Sequence, residues 1–207
     1  MRVKICGVCR AEDAALIAEN GADYIGVILA QRGPRQQTLE SAARIYDAAG
    51  DVMRVGVFAD QEIMDIAATA QQLGLSVIQL HGNESAEFIN ELECEADAAI
   101  WKTVHLRDRD DLERAIDSYA DHVDGLLLDA ATGGSGKRFE WSHAHRARVL
   151  LPEQVTLIVA GGLTPENVHD AIVALQPDVV DVASGVEVTT CQKSAEKIRE
   201  FIMRARA

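Results

Sequence analysis

Two side chains, Cys6 and Asp129, could exchange protons with a bound substrate. Cys6 ends a short apolar run at residues 3–6, and Asp129 ends another at 125–129. If both runs are strands of one parallel barrel, the two side chains lie at its mouth, where barrel enzymes carry their catalytic groups. A thiol and a carboxyl with tuned pKa values can then act as general base and general acid. Each residue also has an ordinary alternative, Cys6 as a small buried strand residue and Asp129 as a cap on the following loop.

Glycine-containing turns follow two later apolar runs and predict a site for an anion. They lie at residues 160–163 and 183–186, where Gly162, Ser184 and Gly185 would let the backbone approach a ligand. Turns after the seventh and eighth strands of a barrel commonly bind phosphate through backbone N–H groups and a short helix N-terminus. We interpret them as a phosphate site, with plain turns as the alternative.

A third glycine-rich segment, residues 133–137, contains Gly134 and looks like a nucleotide phosphate loop. It is not a Walker motif, because the first glycine of that pattern is missing and Arg138 stands in place of the required hydroxyl residue. The segment is either a loop that closes over a ligand or a flexible turn.

Three more polar residues occupy places where they could face a ligand or the barrel interior. Arg35, in the loop after the second strand, could grip a carboxylate or could be an ordinary solvated arginine. His81 ends the fourth strand and either points into the mouth or is satisfied by backbone groups. Lys4 shares a strand face with Cys6, so it points inward and needs an acidic partner such as Asp181.

The spacing of Cys6 and Cys9 fits a C-x-x-C motif, which raises a redox or metal role. That role is weakly supported, because Cys94 and Cys191 offer no paired spacing for a four-ligand zinc site. A thioredoxin-like domain would also be about half as long.

The elements that must position these residues follow a regular rhythm. Short β-branched runs alternate with alanine-rich helical segments, and the strand-plus-helix unit recurs roughly every 26 residues. Strands are predicted at residues 3–6, 23–29, 53–58, 77–80, 99–104, 125–129, 155–160 and 179–183, and helices at 11–20, 39–49, 61–73, 86–92, 108–119, 142–151, 165–175 and 195–206. This pattern favours an α/β fold with a single (β/α)8 TIM barrel. A doubly wound open sheet is less favoured, since no G-x-G-x-x-G turn follows the first strand.

Composition limits the domain count and the kinds of partner. The 207 residues, 48% hydrophobic and without a linker-like stretch, predict one domain spanning residues 1–207. A net charge of -13 argues against nucleic acid and against an anionic membrane surface as partners, because both need a basic face. We expect a cytoplasmic protein with free thiols, since no signal or membrane segment is recognised and the four cysteines are scattered.

Taken together, these residues resemble the phosphoribosylanthranilate isomerase family. The resemblance runs through nearly the whole chain, in register with the eight predicted units, and the combination is far more specific than any single motif. The matching segments are residues 3–7 with Arg10, 21–23, 34–35, 55–58, 79–84, 126–129, 134–137 with Phe139 and Trp141, 160–163, 165–168 and 184–187.

The resemblance implies an isomerase of tryptophan biosynthesis that performs an Amadori rearrangement of N-(5-phosphoribosyl)anthranilate without a cofactor or metal. Asp129 would be the general acid that opens the ribose ring. Cys6 would be the general base that removes the C2 proton, its pKa drawn toward neutrality by a nearby positive charge or helix N-terminus. The implied substrate-binding residues are Arg35 for the anthranilate carboxylate, Gly162, Ser184 and Gly185 for the phosphate, and His81 and Gly134.

Some positions depart from the family pattern, and two other functions stay open. Cys9 stands where threonine is common and could oxidise onto Cys6, while Cys191 and Ser194 replace a glycine and an aspartate around Lys193. The chain could instead be a barrel isomerase of another phosphorylated aminosugar, or a catalytically silent barrel that binds a phosphorylated metabolite or a partner enzyme. The expected partner is a small phosphorylated substrate, and the expected state is a monomer or homodimer.

Overall fold

Eight parallel strands form a closed barrel in the computed structural model, which describes residues 1–31, 33–107, 109–130 and 144–207. Each strand pairs with the next along the chain, and the last pairs with the first. The strands are β1 (Arg2–Ile5), β2 (Tyr24–Ile28), β3 (Met53–Phe58), β4 (Val77–Leu80), β5 (Ala99–Leu106), β6 (Gly125–Ala130), β7 (Thr156–Val159) and β8 (Val179–Val182). The predicted (β/α)8 barrel is therefore confirmed.

In the described part of the chain, eight α-helices cover the outside of the barrel. They are α1 (Ala11–Glu19), α2 (Leu39–Ala48), α3 (Ile63–Leu73), α4 (Ala86–Glu95), α5 (Arg109–Tyr119), α6 (Ala147–Leu150), α7 (Val168–Leu175) and α8 (Ala195–Ala205). Between β8 and α8 lie a short 3-10 helix (Ser184–Val186) and a hairpin of β9 (Glu187–Thr189) and β10 (Gln192–Lys193). None of the helices in the described ranges is long and apolar enough to cross a membrane.

Local sequence explains where several helices begin and end. The side chains of Thr38, Ser85 and Ser194 each accept a hydrogen bond from a backbone N–H in the first turn of the helix that follows, so they are N-caps of α2, α4 and α8. Gly74, in the left-handed conformation, ends α3. Ser194 thus supplies a cap at the position where the family pattern has an aspartate, and the start of the last helix is intact.

The observed boundaries differ from the predicted ones in four informative places. β5 continues two residues past the predicted end at 104, which places His105 beside Asp129 on β6. α7 begins at Val168 instead of 165, because residues 165–167 form a turn in which the side chain of Asn167 accepts from the backbone N–H of Thr164. α6 has only four residues, and residues 142–143 of its predicted range lie outside the described residues. The hairpin of β9 and β10 was not predicted, since its strands are too short to show a hydrophobic period.

Side chains that point into the barrel form layers, because alternate residues of a strand face the same way. The lowest layer is apolar and includes Tyr24 and Trp101, whose rings meet edge to face with centroids 5.1 Å apart. Two residues further along the strands comes a buried polar layer of Lys4, Gln79, Thr103 and Asp181. The next step of two places Cys6, His81, His105 and Asp129 at the mouth.

Candidate active site

A cavity of about 450 Å³ opens at the carboxyl ends of the strands. It brings together most of the residues predicted to form the site, although they come from six different strand ends and loops. The predicted residues that line it are Cys6, Arg35, His81, Asp129, Gly162, Ser184 and Gly185. The predicted residue Gly134 lies outside the described residues.

Cys6 follows β1 directly, and a backbone hydrogen bond to β8 fixes its position. Its N–H donates to the carbonyl of Val182 on β8 at 2.8 Å, and its side chain is buried. Gly26 on β2 provides the room: a Cβ there would lie 2.8 Å from Cys6 Sγ. The thiol therefore occupies a space that the sequence leaves open by placing glycine on the neighbouring strand.

The pKa of Cys6 is raised, which differs from the expected shift toward neutrality. Burial raises it most, because the thiolate loses hydration, and the nearby charge of Lys4 only partly opposes this effect. Asp181 adds to the rise, and Lys193 is a weaker opposing charge. The expected positive charge is present, but in the ligand-free protein desolvation outweighs it.

The predicted partner of Lys4 is confirmed. Lys4 Nζ lies 2.9 Å from Asp181 Oδ2, and the two residues face each other in the register of β1 and β8. Burial alone would lower the pKa of Lys4, but Asp181 and Cys6 raise it above its ordinary value, so the ammonium stays charged beneath the thiol.

Asp129 ends β6 at the opposite side of the mouth, between two histidines. Its Oδ2 lies 3.9 Å from His81 Nε2 and 3.9 Å from His105 Nδ1, and the two imidazole rings meet edge to face. Burial, followed by repulsion from His105, lowers the pKa of His81 to about 4, so this ring is neutral at neutral pH. His105 was not predicted as a site residue, because β5 was expected to end at residue 104 instead of 106. Trp101, Thr103 and His105 are alternate residues of β5 and face the barrel interior, so this alternation could have indicated His105.

Arg35 reaches the site with its guanidinium already paired. Its Nε and Nη2 donate to the two carboxylate oxygens of Glu187 at 2.8 and 2.6 Å, and the arginine lines the cavity. Burial by itself would raise the pKa of Glu187. The hydrogen bonds from Arg35 and the charge of Lys193 outweigh burial, so the pKa of Glu187 lies below its usual value. Arg35 is thus an oriented, partly buried side chain, and the alternative of a solvated loop arginine is wrong.

Lys193 connects the Arg35–Glu187 pair to the first and last strands of the barrel, β1 and β8. Its buried ammonium donates to the carbonyls of Cys6 at 2.7 Å and Ala183 at 2.9 Å, and it lies 3.3 Å from Glu187 Oε1. No role for Lys193 or Glu187 was predicted from the sequence. Glu187 ends the family-like segment 184–187, but its pairing with Lys193 depends on the short hairpin after β8.

The turns after β7 and β8 form a cradle of backbone groups. Gly161 and Gly162 have φ values of 81° and 69°, a conformation that favours glycine. Gly185 packs so closely on the Leu163 carbonyl that a Cβ there would overlap it. Within the described ranges, no carbonyl accepts a hydrogen bond from the backbone N–H of Gly162, Ser184 or Gly185. These donors can therefore bind an anion, as a phosphate site requires.

Cys9 lies next to Cys191, which stands in the turn of the hairpin after β8. The Cys9 thiol is 3.9 Å from the Arg35 carbonyl, and the Cys191 thiol is 3.2 Å from the Pro34 carbonyl. Burial, together with a hydrogen bond to Cys191, raises the pKa of Cys9 to about 12. All four cysteines are free.

A closed (β/α)8 barrel with a thiol, a carboxyl and an anion cradle at its mouth defines a barrel enzyme acting on a small anionic metabolite. The family model of N-(5'phosphoribosyl)anthranilate (PRA) isomerase matches residues 3–204. The chain belongs to this isomerase family, and the resemblance found in the sequence is confirmed.

Individual relatives agree over the full length. The N-(5'-phosphoribosyl)anthranilate isomerase of Acidithiobacillus ferrooxidans is 39% identical, over 100% of this chain and 98% of the relative. The crystal structure of phosphoribosyl anthranilate isomerase from Thermotoga maritima has a TM-score of 0.91 and 37% identity, covering 100% and 98% of the two chains. Another solved isomerase, with a TM-score of 0.88, 34% identity and the same coverage, is in complex with reduced 1-(o-carboxyphenylamino)-1-deoxyribulose 5-phosphate.

Proposed function

We propose that this barrel catalyses the Amadori rearrangement of N-(5'-phosphoribosyl)anthranilate to 1-(2-carboxyphenylamino)-1-deoxyribulose 5-phosphate, the isomerase step of tryptophan biosynthesis. The observation that carries the proposal is the shared cavity of Cys6, Asp129 and the two glycine turns, in a chain that belongs to the isomerase family. A thiol and a carboxyl on opposite sides of one cavity can act on two positions of a bound sugar.

Asp129 is the general acid in this proposal. Its carboxyl group delivers a proton to the ring oxygen of the ribose, the C1–O bond breaks, and the nitrogen lone pair forms a Schiff base with C1. The side chain is 17% exposed, so the proton can be replaced from solvent at the open mouth. The neutral His81 beside it lines the site without adding a second charge.

Cys6 is the general base. Its thiolate takes the proton from C2, the electron pair of that bond forms the C1–C2 double bond of an enolamine, and the enolamine tautomerises to the ketone. The buried Lys4–Asp181 pair lies directly beneath, where the ammonium stabilises the thiolate as it forms. Because burial raises the pKa of Cys6, only a small fraction of the free enzyme carries this thiolate at neutral pH.

The backbone cradle at Gly162, Ser184 and Gly185 binds the phosphate, and Arg35 binds the anthranilate carboxylate. Glu187 occupies two of the five N–H donors of Arg35 and fixes the plane of the guanidinium. An oriented guanidinium loses less freedom when it binds a second carboxylate. Fixed local donors also explain how a chain with a net charge of -13 can bind an anionic substrate.

The test is turnover of freshly generated phosphoribosylanthranilate under reducing conditions, followed as loss of the fluorescence of the anthranilate adduct. We expect rapid loss with the wild type and near-silence with Cys6→Ser and Asp129→Asn. Cys94→Ser, which changes an exposed cysteine on α4, is the matched control and keeps wild-type activity. No loss with the folded wild type would overturn the assignment and favour another phosphorylated aminosugar as the substrate.

The partners proposed are the phosphorylated substrate and at most a second copy of the chain, in the cytoplasm. Free cysteines are typical of a reducing compartment. A solved relative from Thermotoga maritima is described as monomers generated from a dimeric isomerase. Light scattering of the purified protein distinguishes a monomer from a homodimer.

A further inference from the structure

Two imidazoles and a carboxylate converge at the mouth of the barrel, on three adjacent strands. We propose that His81, His105 and Asp129 form a binding site for a zinc ion, and that the bound ion inhibits the enzyme. This site goes beyond the proposed function, which uses no metal, and only its inhibitory effect rests on that function.

The geometry suits a small divalent ion. One ligand atom from each side chain lies within 4.8 Å of the other two, and Asp129 Oδ2 is 3.9 Å from the facing nitrogen of each histidine. Tetrahedral zinc with bonds of about 2.0–2.2 Å holds its ligand atoms roughly 3.3–3.6 Å apart. Each histidine–aspartate gap therefore has to close by roughly half an ångström. The two histidine nitrogens, which lie within 4.8 Å of each other, have to approach by up to about 1.5 Å, and side-chain rotations at the open mouth can supply both movements.

Rigid strands hold the three ligands. His105 and Asp129 are partners in the register of β5 and β6, and His81 follows the end of β4, which pairs with β5. Two nitrogens and one oxygen are a donor set that zinc accepts, and three protein ligands leave a fourth position for water.

His81 also has a neighbour that can orient its imidazole ring. The buried Gln79 amide provides an outer partner: its Nε2 lies 3.4 Å from His81 Nδ1, and its Oε1 has no hydrogen-bond partner among the described residues. If the Gln79 amide is turned by 180°, its Oε1 accepts a hydrogen bond from His81 Nδ1–H. His81 Nε2 is then free to bind the ion, an arrangement common around metal-bound histidines.

A zinc ion at this position ties up the carboxylate of Asp129. The general acid can then no longer protonate the ring oxygen, and the ion occupies space in the substrate cavity. Zinc should therefore compete with the substrate and raise the apparent KM more than it lowers kcat.

The first test measures binding without substrate. Calorimetric titration of the reduced full-length protein should show one zinc ion per chain, and His105→Ala should weaken binding at least about tenfold. His169→Ala, which removes an exposed histidine on α7, is the control and should bind like the wild type. Cobalt(II) in place of zinc should give visible d–d absorption without the ultraviolet band of a thiolate–cobalt bond.

Thiols elsewhere in the protein could also bind zinc, and a second variant distinguishes them from the proposed site. Cys9→Ser combined with Cys191→Ser should leave zinc binding unchanged. Loss of binding in that variant with retention in His105→Ala, or no binding to the folded wild type, would overturn the proposed site. Because this titration needs no turnover, a wild type that fails to act on phosphoribosylanthranilate would overturn the proposed function and leave the zinc result standing.

Discussion

Burial works against the thiolate that a general base at Cys6 requires. The side chain lies within hydrogen-bonding reach of the charged Lys4, yet loss of hydration raises the pKa above that of an ordinary thiol. The same burial makes a thiolate, once formed, strongly basic, as the proposed removal of the C2 proton requires. Reactivity is thus set by the balance between desolvation and the buried ammonium groups of Lys4 and, more weakly, Lys193.

The first prediction concerns this balance. In a variant whose only cysteine is Cys6, we expect alkylation by iodoacetamide to follow an apparent pKa above about 8.5, the value of a free thiol. The rate constant for alkylation is measured as a function of pH, with free cysteine as the reference. An apparent pKa at or below about 7.5 would mean that the cations outweigh burial.

The second prediction concerns the space beside the thiol. Gly26→Ala places a Cβ 2.8 Å from Cys6 Sγ and 3.2 Å from Cys6 Cα, so the thiol has to move. A displacement of about 1 Å at a reacting atom can lower kcat by up to about a hundredfold. Steady-state kinetics measure the loss, and circular dichroism shows whether the barrel is intact.

Gly50→Ala is the control for that substitution. A Cβ at Gly50 meets no atom within 4 Å, but its φ of 61° is unfavourable for alanine. We expect it to lose about 1 kcal/mol of stability while activity stays at the wild-type level. If the two variants lost activity equally, the effect would come from general destabilisation and not from the thiol.

Among the elements, the short hairpin of β9 and β10 does the most to organise the site. It brings Glu187 to Arg35 and Lys193 to the carbonyl of Cys6, so it joins the loop after β2 to the seam between β1 and β8. Both hairpin residues are buried. Without Glu187, the ammonium of Lys193 would keep two carbonyl partners but lose the carboxylate that balances its charge.

The third prediction follows from this buried pair. Glu187→Gln should lower the free energy of unfolding by about 3–5 kcal/mol at neutral pH, because it leaves Lys193 charged and buried. The folded-state pKa of Glu187 is lowered, so its contribution is fully present above the unfolded pKa of about 4.3 and is lost as the pH falls through the folded value. Urea unfolding of both proteins should show a gap that narrows below about pH 4, and a gap independent of pH would contradict this account.

At the scale of the whole molecule, the site lies where the two ends of the chain meet. Closing the barrel places the loop after β1 against the hairpin before α8, so Cys9 and Cys191 become neighbours although they are about 180 residues apart in sequence. A cross-link there would enclose nearly the whole fold.

The fourth prediction concerns that contact. Diamide, a thiol oxidant that takes up two electrons and two protons, should join Cys9 to Cys191 and leave Cys6 reduced. In the loop-entropy account a bridge over about 180 residues stabilises by up to about 5 kcal/mol, so the melting temperature should rise and return after reduction. Peptide mapping identifies the bridge, and a Cys6–Cys9 link in its place would contradict this prediction.

Much of this protein follows from local sequence. Alternating β-branched runs and alanine-rich helical segments determine the barrel. The spacing of apolar residues in each strand and each helix directs one apolar face to the core. The same period places Lys4 under Cys6, and the register of the closed barrel gives Lys4 its partner Asp181. The proposed acid, the proposed base and the glycine turns are at strand ends. The alternation of side chains along each strand and the order of the strands are enough to place them there.

Only the tertiary structure decided the rest, because it depends on contacts between distant segments. The direction of the Cys6 pKa shift depends on how much water the closed barrel excludes, which no residue type reveals. Arg35 is held by Glu187, 152 positions away, and Cys9 contacts Cys191, which is distant in sequence. His105 joins Asp129 because β5 runs to Leu106, and that end is set by pairing with β6 rather than by propensity.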